Sequence, residues 1–254
     1  MEKFLEVKNI FINSVLVDTI LLWEYSVFIM EIELYHGSEN RIVKPKFGVG
    51  NIRNDYGLAF YTTMDKELAM EWAVDSNRSG YLNRYKLDLD GLSVLNLDSD
   101  EYTILHWLAI LVDNRTFDIN TDFGAEAKKY LLDNFLLDYT EYDVITGYRA
   151  DDSYFSFAQD FLNNEISIST LAKAMKLGNL GTQIAIKSEK AFHSIRYEDS
   201  NLVNSAEWYP AKEHRDELAR KKYHEIRNTP WKRGEIYMMK IVDEELRAGD
   251  VRLR

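Results

Sequence analysis

What most limits the fold of this chain is the close interleaving of short alternating runs with helical ones. Segments 31–35, 58–63, 81–89, 93–97, 142–146, 182–187 and 192–197 read as strands, several with side chains alternating at a period of two. Between them Leu68, Ala69, Trp72 and Ala73 recur at helical spacing behind Asp65, a candidate N-cap. Further helices are predicted over 101–112, 125–137 and 167–175, and in the run to Leu162 behind Asp151-Asp152-Ser153. The turn signal Asp90-Gly91 predicts a hairpin joining 81–89 to 93–97. This order predicts an α+β fold with helices packed around a split, mainly antiparallel sheet. The last fifty residues add a charged helix near 211–226, a strand near 235–241 and a terminal helix or tail. With only three prolines and no low-complexity tract, no linker is expected. The chain divides into an N-terminal helical extension (1–30), a main domain (31–200) and a helix-strand extension packed on it (201–254).

The formal charge of −11 argues against a protein that coats nucleic acid through a global positive field. That charge is uneven: from Ser205 onward twelve Lys and Arg face ten Asp and Glu, leaving +2 there and −13 on the first 204 residues. Arg215, Arg220, Lys221, Lys222, Arg227, Lys232 and Arg233 form the densest basic run, read first as a solvated helix face and otherwise as a nucleic-acid or partner patch. Residues 9–30 are apolar but contain Asp18 and Glu24, which disfavours a membrane span, so a packed amphipathic helix is expected. The chain has no cysteine, hence no disulfide, thiolate metal site or cysteine nucleophile, and a cytoplasmic home is favoured.

Two segments carry chemistry. Tyr35-His36-Gly37-Ser38 runs off the first strand, with His36 expected at its end. About twenty residues on comes Asn54-Asp55-Tyr56-Gly57-Leu58-Ala59-Phe60-Tyr61-Thr62-Thr63, after a Gly-, Asn- and Lys-rich loop of the kind that binds ligands. Together they supply an imidazole, glycines for close backbone approach, hydroxyls and aromatic faces, a set suited to gripping a nucleotide. Gly37 is expected to let the backbone approach a ligand, and Thr62 and Thr63 to place donors at a helix start where anions are favoured. No phosphate-loop, Gly-x-Ser-x-Gly, His-Glu-x-x-His or dinucleotide fingerprint is present, and the five histidines show no ligand spacing, so no metal is expected.

The pairing resembles the opening strands of ADP-ribosyltransferases, and most closely a bacterial ADP-ribosyltransferase-like family long catalogued as a domain of unknown function. The resemblance spans roughly residues 31–197. It implies an NAD-splitting transferase in which His36 binds the ribose and adenosine side and Tyr61 stacks on nicotinamide. Tyr35, Gly37, Ser38, Arg53, Asp55, Tyr56, Thr62 and Thr63 would line the NAD site; for Arg53 a pairing with the pyrophosphate and a solvated loop arginine stand as equal alternatives. Tyr56 replaces a usual phenylalanine and Ala59 a usual glycine.

Active relatives carry a glutamate on a later strand, whereas this chain has Gly181-Thr182-Gln183-Ile184-Ala185. Either Gln183 holds the ribose hydroxyl through its amide, or Ala185 is the match and the group is missing; the resemblance favours Gln183. Val144-Ile145-Thr146-Gly147 and Asp151-Asp152 also echo the family. The implied function is a toxin-type mono-ADP-ribosyltransferase, NAD being the substrate, that modifies protein, RNA or DNA in a toxin–antitoxin or phage-defence system. A cognate antitoxin is the implied partner. The alternative is a non-catalytic nucleotide- or partner-binding module on the same fold.

Overall fold

A computed structural model describes residues 31–119, 121–150, 152–177, 181–229 and 233–253; the extension expected over 1–30 lies outside them, as do Asp151 and Lys232. Among the described residues seven strands form one sheet: β1 (Glu31–Ser38), β2 (Phe60–Thr63), β3 (Gly80–Asp88), β4 (Val94–Asn96), β5 (Val144–Tyr148), β6 (Thr182–Ile186) and β7 (Ile195–Val203). Their order is β4-β5-β6-β2-β1-β3-β7, and only β4 and β5 run parallel. The architecture is therefore α+β and mainly antiparallel, as the strand and helix periods predict. The sheet consists of two ladders with a thin joint. β1 and β3 pair from Glu31–Asp88 through Ser38–Tyr81, whereas β1 and β2 share the single pair Tyr35–Thr63.

Eight α-helices are described: α1 (Lys66–Ala73), α2 (Ile104–Asn114), α3 (Asp122–Phe135), α4 (Asp152–Leu162), α5 (Ile168–Ala174), α6 (Glu189–Ser194), α7 (Ser205–Arg227) and α8 (Met238–Asp243). Local chemistry sets several starts. Asp65 caps α1 by accepting from Leu68 N, and Ser167 does the same for α5 from Thr170 N. At α2 the backbone N–H of Thr103 donates to His106 Nδ1 at 3.0 Å, a capping box closed by a buried histidine that burial holds below its ordinary pKa. Every side chain from Leu105 to Val112 is buried, so α2 is apolar all round and forms the centre of the larger core with α3, α4 and one face of the sheet. Alternation assigns Ile145 and Ala185 to that face. Val144, Ile184 and Ile186 project to the other, which α6 covers through Ala191.

Three expectations fail. Strand 81–89 forms no hairpin with 93–97, because β4 pairs in parallel with β5 at the opposite edge of the sheet, anchored where Ser93 N donates to Asp143 at 2.7 Å. Residues 192–194 belong to α6, started when Ser188 accepts from Ala191 N; the strand begins at Ile195 and runs to Val203, carrying the sheet past the expected boundary at 200. The strand expected at 235–241 is largely helix α8, whose Met238 and Ile241 are buried one helical turn apart, while Ile236 accepts from Ile168 N. Short apolar runs fit both periods, and tertiary burial chooses.

Candidate functional site

An antiparallel ladder starting at Tyr35–Thr63 would continue through His36–Thr62 and Gly37–Tyr61, but neither pair forms. In that gap the His36 imidazole takes the place of the backbone, with Nδ1 2.6 Å from the Tyr61 carbonyl oxygen. A carbonyl only accepts, so Nδ1 carries the proton and Nε2 keeps its lone pair. Phe60 packs on the ring at 4.6 Å between centroids. Burial lowers the His36 pKa to about 4, opposed by the Tyr61 carbonyl, so the imidazole is neutral at pH 7. His36 lies inside β1, two residues before its end, rather than terminating it.

The strands part into a cavity of about 910 Å³, near the upper end of the roughly 300–1,000 Å³ range of small-molecule sites. His36 and Tyr61 come from opposite faces of the sheet by register, yet both line it. The Tyr61 hydroxyl donates to Gly57 O at 2.6 Å and accepts from Tyr56 N at 3.1 Å, and burial raises its pKa. It therefore offers the cavity a fixed ring surface and no proton. The anchoring turn requires Gly57, which holds φ 76° and where a Cβ would stand 2.7 Å from Asn114 Oδ1.

Gln183, on β6 between Thr63 and Gly147, also lines the cavity; Ala185 is fully buried in the core against Tyr61 and Ile145. Of the two candidates for the third position, Gln183 lines the cavity and Ala185 does not. The Gln183 Nε2 donates to Asp55 Oδ2 at 3.2 Å, leaving Oε1 as the acceptor. Asp55 is 6% exposed and wholly engaged: Oδ2 also accepts from Ala150 N at 2.8 Å, and Oδ1 from Arg115 Nη1 at 2.9 Å. Arg115 in turn donates to Ala150 O at 2.7 Å. A buried carboxylate, an arginine and an amide thereby form one network at the base of the site.

The rest of the lining is strongly basic. Eight of its residues are Arg or Lys and two are Asp, in a chain of net charge −11. Arg53 belongs to it, as expected. Arg115, Arg149, Lys212 and Arg220 also do, and were not singled out as ligands by their local sequence. Arg115 is the C-cap of α2, and its guanidinium lies 4.6 Å over the Phe155 ring. Arg149 lies 5.0 Å over Trp72, whose buried Nε1 has no hydrogen-bond partner among the described residues. The basic run supplies Arg220, and Lys212 joins it from the preceding turn of α7, because Arg215 turns inward to pair with Glu71 of α1 at 2.7 Å and sets α7 along the cavity. Burial raises the Glu71 pKa, with Arg215 opposing it.

Six expected cofactor-site residues do not line the cavity and serve the frame around it. A Cβ on Gly37 would fall 1.8 Å from Ala69 O, so this glycine admits helix α1 against β1 rather than a ligand. Ser38 accepts from Asn83 Nδ2 at 2.8 Å and donates to Asn40 O, and Tyr35 donates to Glu33. Tyr56 is fully buried, its hydroxyl donating to Tyr148 O at 2.6 Å. Thr62 and Thr63 donate to the carbonyls of Ile184 and Thr182, each at 3.0 Å, which locks β2 to β6 and removes both hydroxyls from anion binding.

Among the described residues no group of three or more His, Asp or Glu is placed to hold a metal, and no helix is long and apolar enough to cross a membrane. Chemically the site offers a neutral imidazole acceptor, an aromatic face, an amide acceptor and cations suited to phosphate oxygens. The model of a family described as a protein of unknown function (DUF3990) matches residues 32–197, and the chain belongs to that family. No curated protein and no solved structure matches it.

Proposed function

We propose that this DUF3990 member binds NAD in the cavity at the sheet joint and transfers ADP-ribose from it to a macromolecule. The observation that carries the reading is the convergence of His36, Tyr61 and Gln183, from three strands, with Arg53 and Arg115 in one cavity. In the reaction the bond from the ribose C1′ to the nicotinamide nitrogen breaks, and its electron pair leaves with neutral nicotinamide. An acceptor nucleophile then bonds C1′ and gives its proton to solvent.

His36 Nε2 accepts from a ribose hydroxyl, the pinned Tyr61 ring stacks on nicotinamide, and Gln183 Oε1 accepts from a hydroxyl of the reacting ribose. Arg53, Arg115 and Arg149 supply charge for the pyrophosphate, and the partnerless Trp72 Nε1 adds a donor. Tyr35, Gly37, Ser38, Tyr56, Thr62 and Thr63 hold the strands that carry these groups. We place the protein as a bacterial, cytoplasmic toxin of a toxin–antitoxin or phage-defence system, consistent with a cysteine-free chain, with an antitoxin that shields the cavity.

Incubation with labelled NAD and mixed cell protein and RNA tests this. Label on acceptor and free nicotinamide are expected, and both are lost in His36→Ala and Gln183→Ala at a temperature where circular dichroism shows each variant folded. Neither label nor nicotinamide would sink the enzyme. One observation favours the second reading, a non-catalytic nucleotide-binding module: the carboxylate at the cavity base, Asp55, is already held by Arg115, Ala150 and Gln183. NAD binding without nicotinamide release selects that reading.

A further inference from the structure

The cavity holds more positive charge than a dinucleotide uses. A pyrophosphate carries two negative charges and is matched by the guanidiniums at positions 53, 115 and 149. The surplus lies at the mouth: Lys44 and Lys46 on the loop between β1 and β2, and Lys212 and Arg220 on α7. Lys44, Lys46 and Lys212 form no ion pair among the described residues, and the Arg220 pair with Asp216 is long, at 3.9 Å. Beside the lysines the same loop exposes Val43 (60%), Phe47 (51%), Val49 (64%) and Ile52 (67%). Phe47 offers an aromatic face on which an unpaired base can stack, and the aliphatic side chains give an apolar surface between cations that match the joining phosphates.

Outside this lining the chain carries a net negative charge, which opposes a broad polyanion such as a duplex more than a narrow, flexible single strand. We infer that the mouth, formed by the loop and α7, is a binding surface for single-stranded nucleic acid. Its role as the acceptor surface rests on the NAD reading above, whereas binding itself does not.

Fluorescence anisotropy of a short labelled oligoribonucleotide of mixed sequence, without NAD, tests it. Binding that weakens between about 50 and 200 mM salt is expected, with a log–log slope of about −3, or about −0.7 for each of four cations. Lys44→Glu with Lys212→Glu should weaken it by about tenfold or more and cut the slope roughly in half, in a protein that circular dichroism shows still folded. Absence of binding at the lower salt overturns the inference. So does unchanged affinity in the double variant, or equal affinity for a duplex of the same sequence. Equally tight binding of poly-glutamate overturns it in favour of an acidic protein partner. Nicotinamide release, measured without oligonucleotide, reports on the NAD reading alone: release without binding breaks only this inference, and binding without release breaks only that reading.

Discussion

The two walls of the cavity are built on opposite principles. On the strand wall every polar group is tied down: His36 to the Tyr61 carbonyl, Tyr61 to the 56–57 turn, Gln183 and Arg115 to Asp55. On the loop-and-helix wall, Lys44, Lys46 and Lys212 stand without ion pairs among the described residues, beside exposed apolar side chains. The first wall is a polar network in a half-dry setting, where each group costs free energy if its partner is lost; the second is solvated, and its charges are nearly free to change. The difference teaches where stability and recognition each reside.

Substitutions that attack the strand wall should therefore cost stability as well as binding, so each is read for activity only where the variant is shown to be folded. The largest effect is expected from Gly37→Ala, whose Cβ meets backbone at 1.8 Å: a loss above about 3 kcal/mol in urea unfolding, or no folded protein. Near-native stability would show that α1 is not wedged against the strand wall. Next comes Arg115→Ala, which strands the buried Asp55 carboxylate at a cost of about 3 kcal/mol, with Arg115→Lys recovering part of it.

A smaller, pH-dependent effect follows from His36. Its folded pKa of about 4 lies below the ordinary 6.5, so the unfolded chain takes up the proton first. The neutral imidazole's contribution is complete above about pH 6.5 and is lost as pH falls toward 4. Melting temperature measured across that window should drop more in the native protein than in His36→Gln; parallel curves would show that the imidazole is not buried as described. The smallest effect is expected on the other wall, where Lys44→Ala or Lys46→Ala should alter stability by less than about 0.5 kcal/mol. A larger loss would erase the contrast between the walls.

Legibility in the sequence followed the range of the interactions. Strand β2 and the Asp65-capped helix after it are local in cause, since a cap and a period are written within a few residues, and both were readable. So were His36, Tyr61, Gln183, Arg53 and Asp55, which the fold brings to one cavity across as many as 147 residues of chain, from His36 to Gln183. The partner of β4 was not readable: a turn signal at Asp90-Gly91 fits a hairpin, and only the distant β5 edge decides otherwise. Gly37 was rightly marked and wrongly explained, because a glycine records that something comes close without saying whether it is a ligand or a helix. Arg115 and Arg149 carry no local mark. Their meaning arises from Asp55 and Trp72, to which the chain returns them after long excursions through α2 and β5.

The lone Tyr35–Thr63 pair has a mechanical consequence. Beside it the sheet lacks rungs, and a molecule that grips His36 on one ladder and Tyr61 on the other supplies a substitute rung of its own. Cohesion of the two ladders then becomes a property of the occupant as well as of the chain. If the occupant is the dinucleotide proposed above, it would rivet them together while intact, and cutting it would draw the rivet.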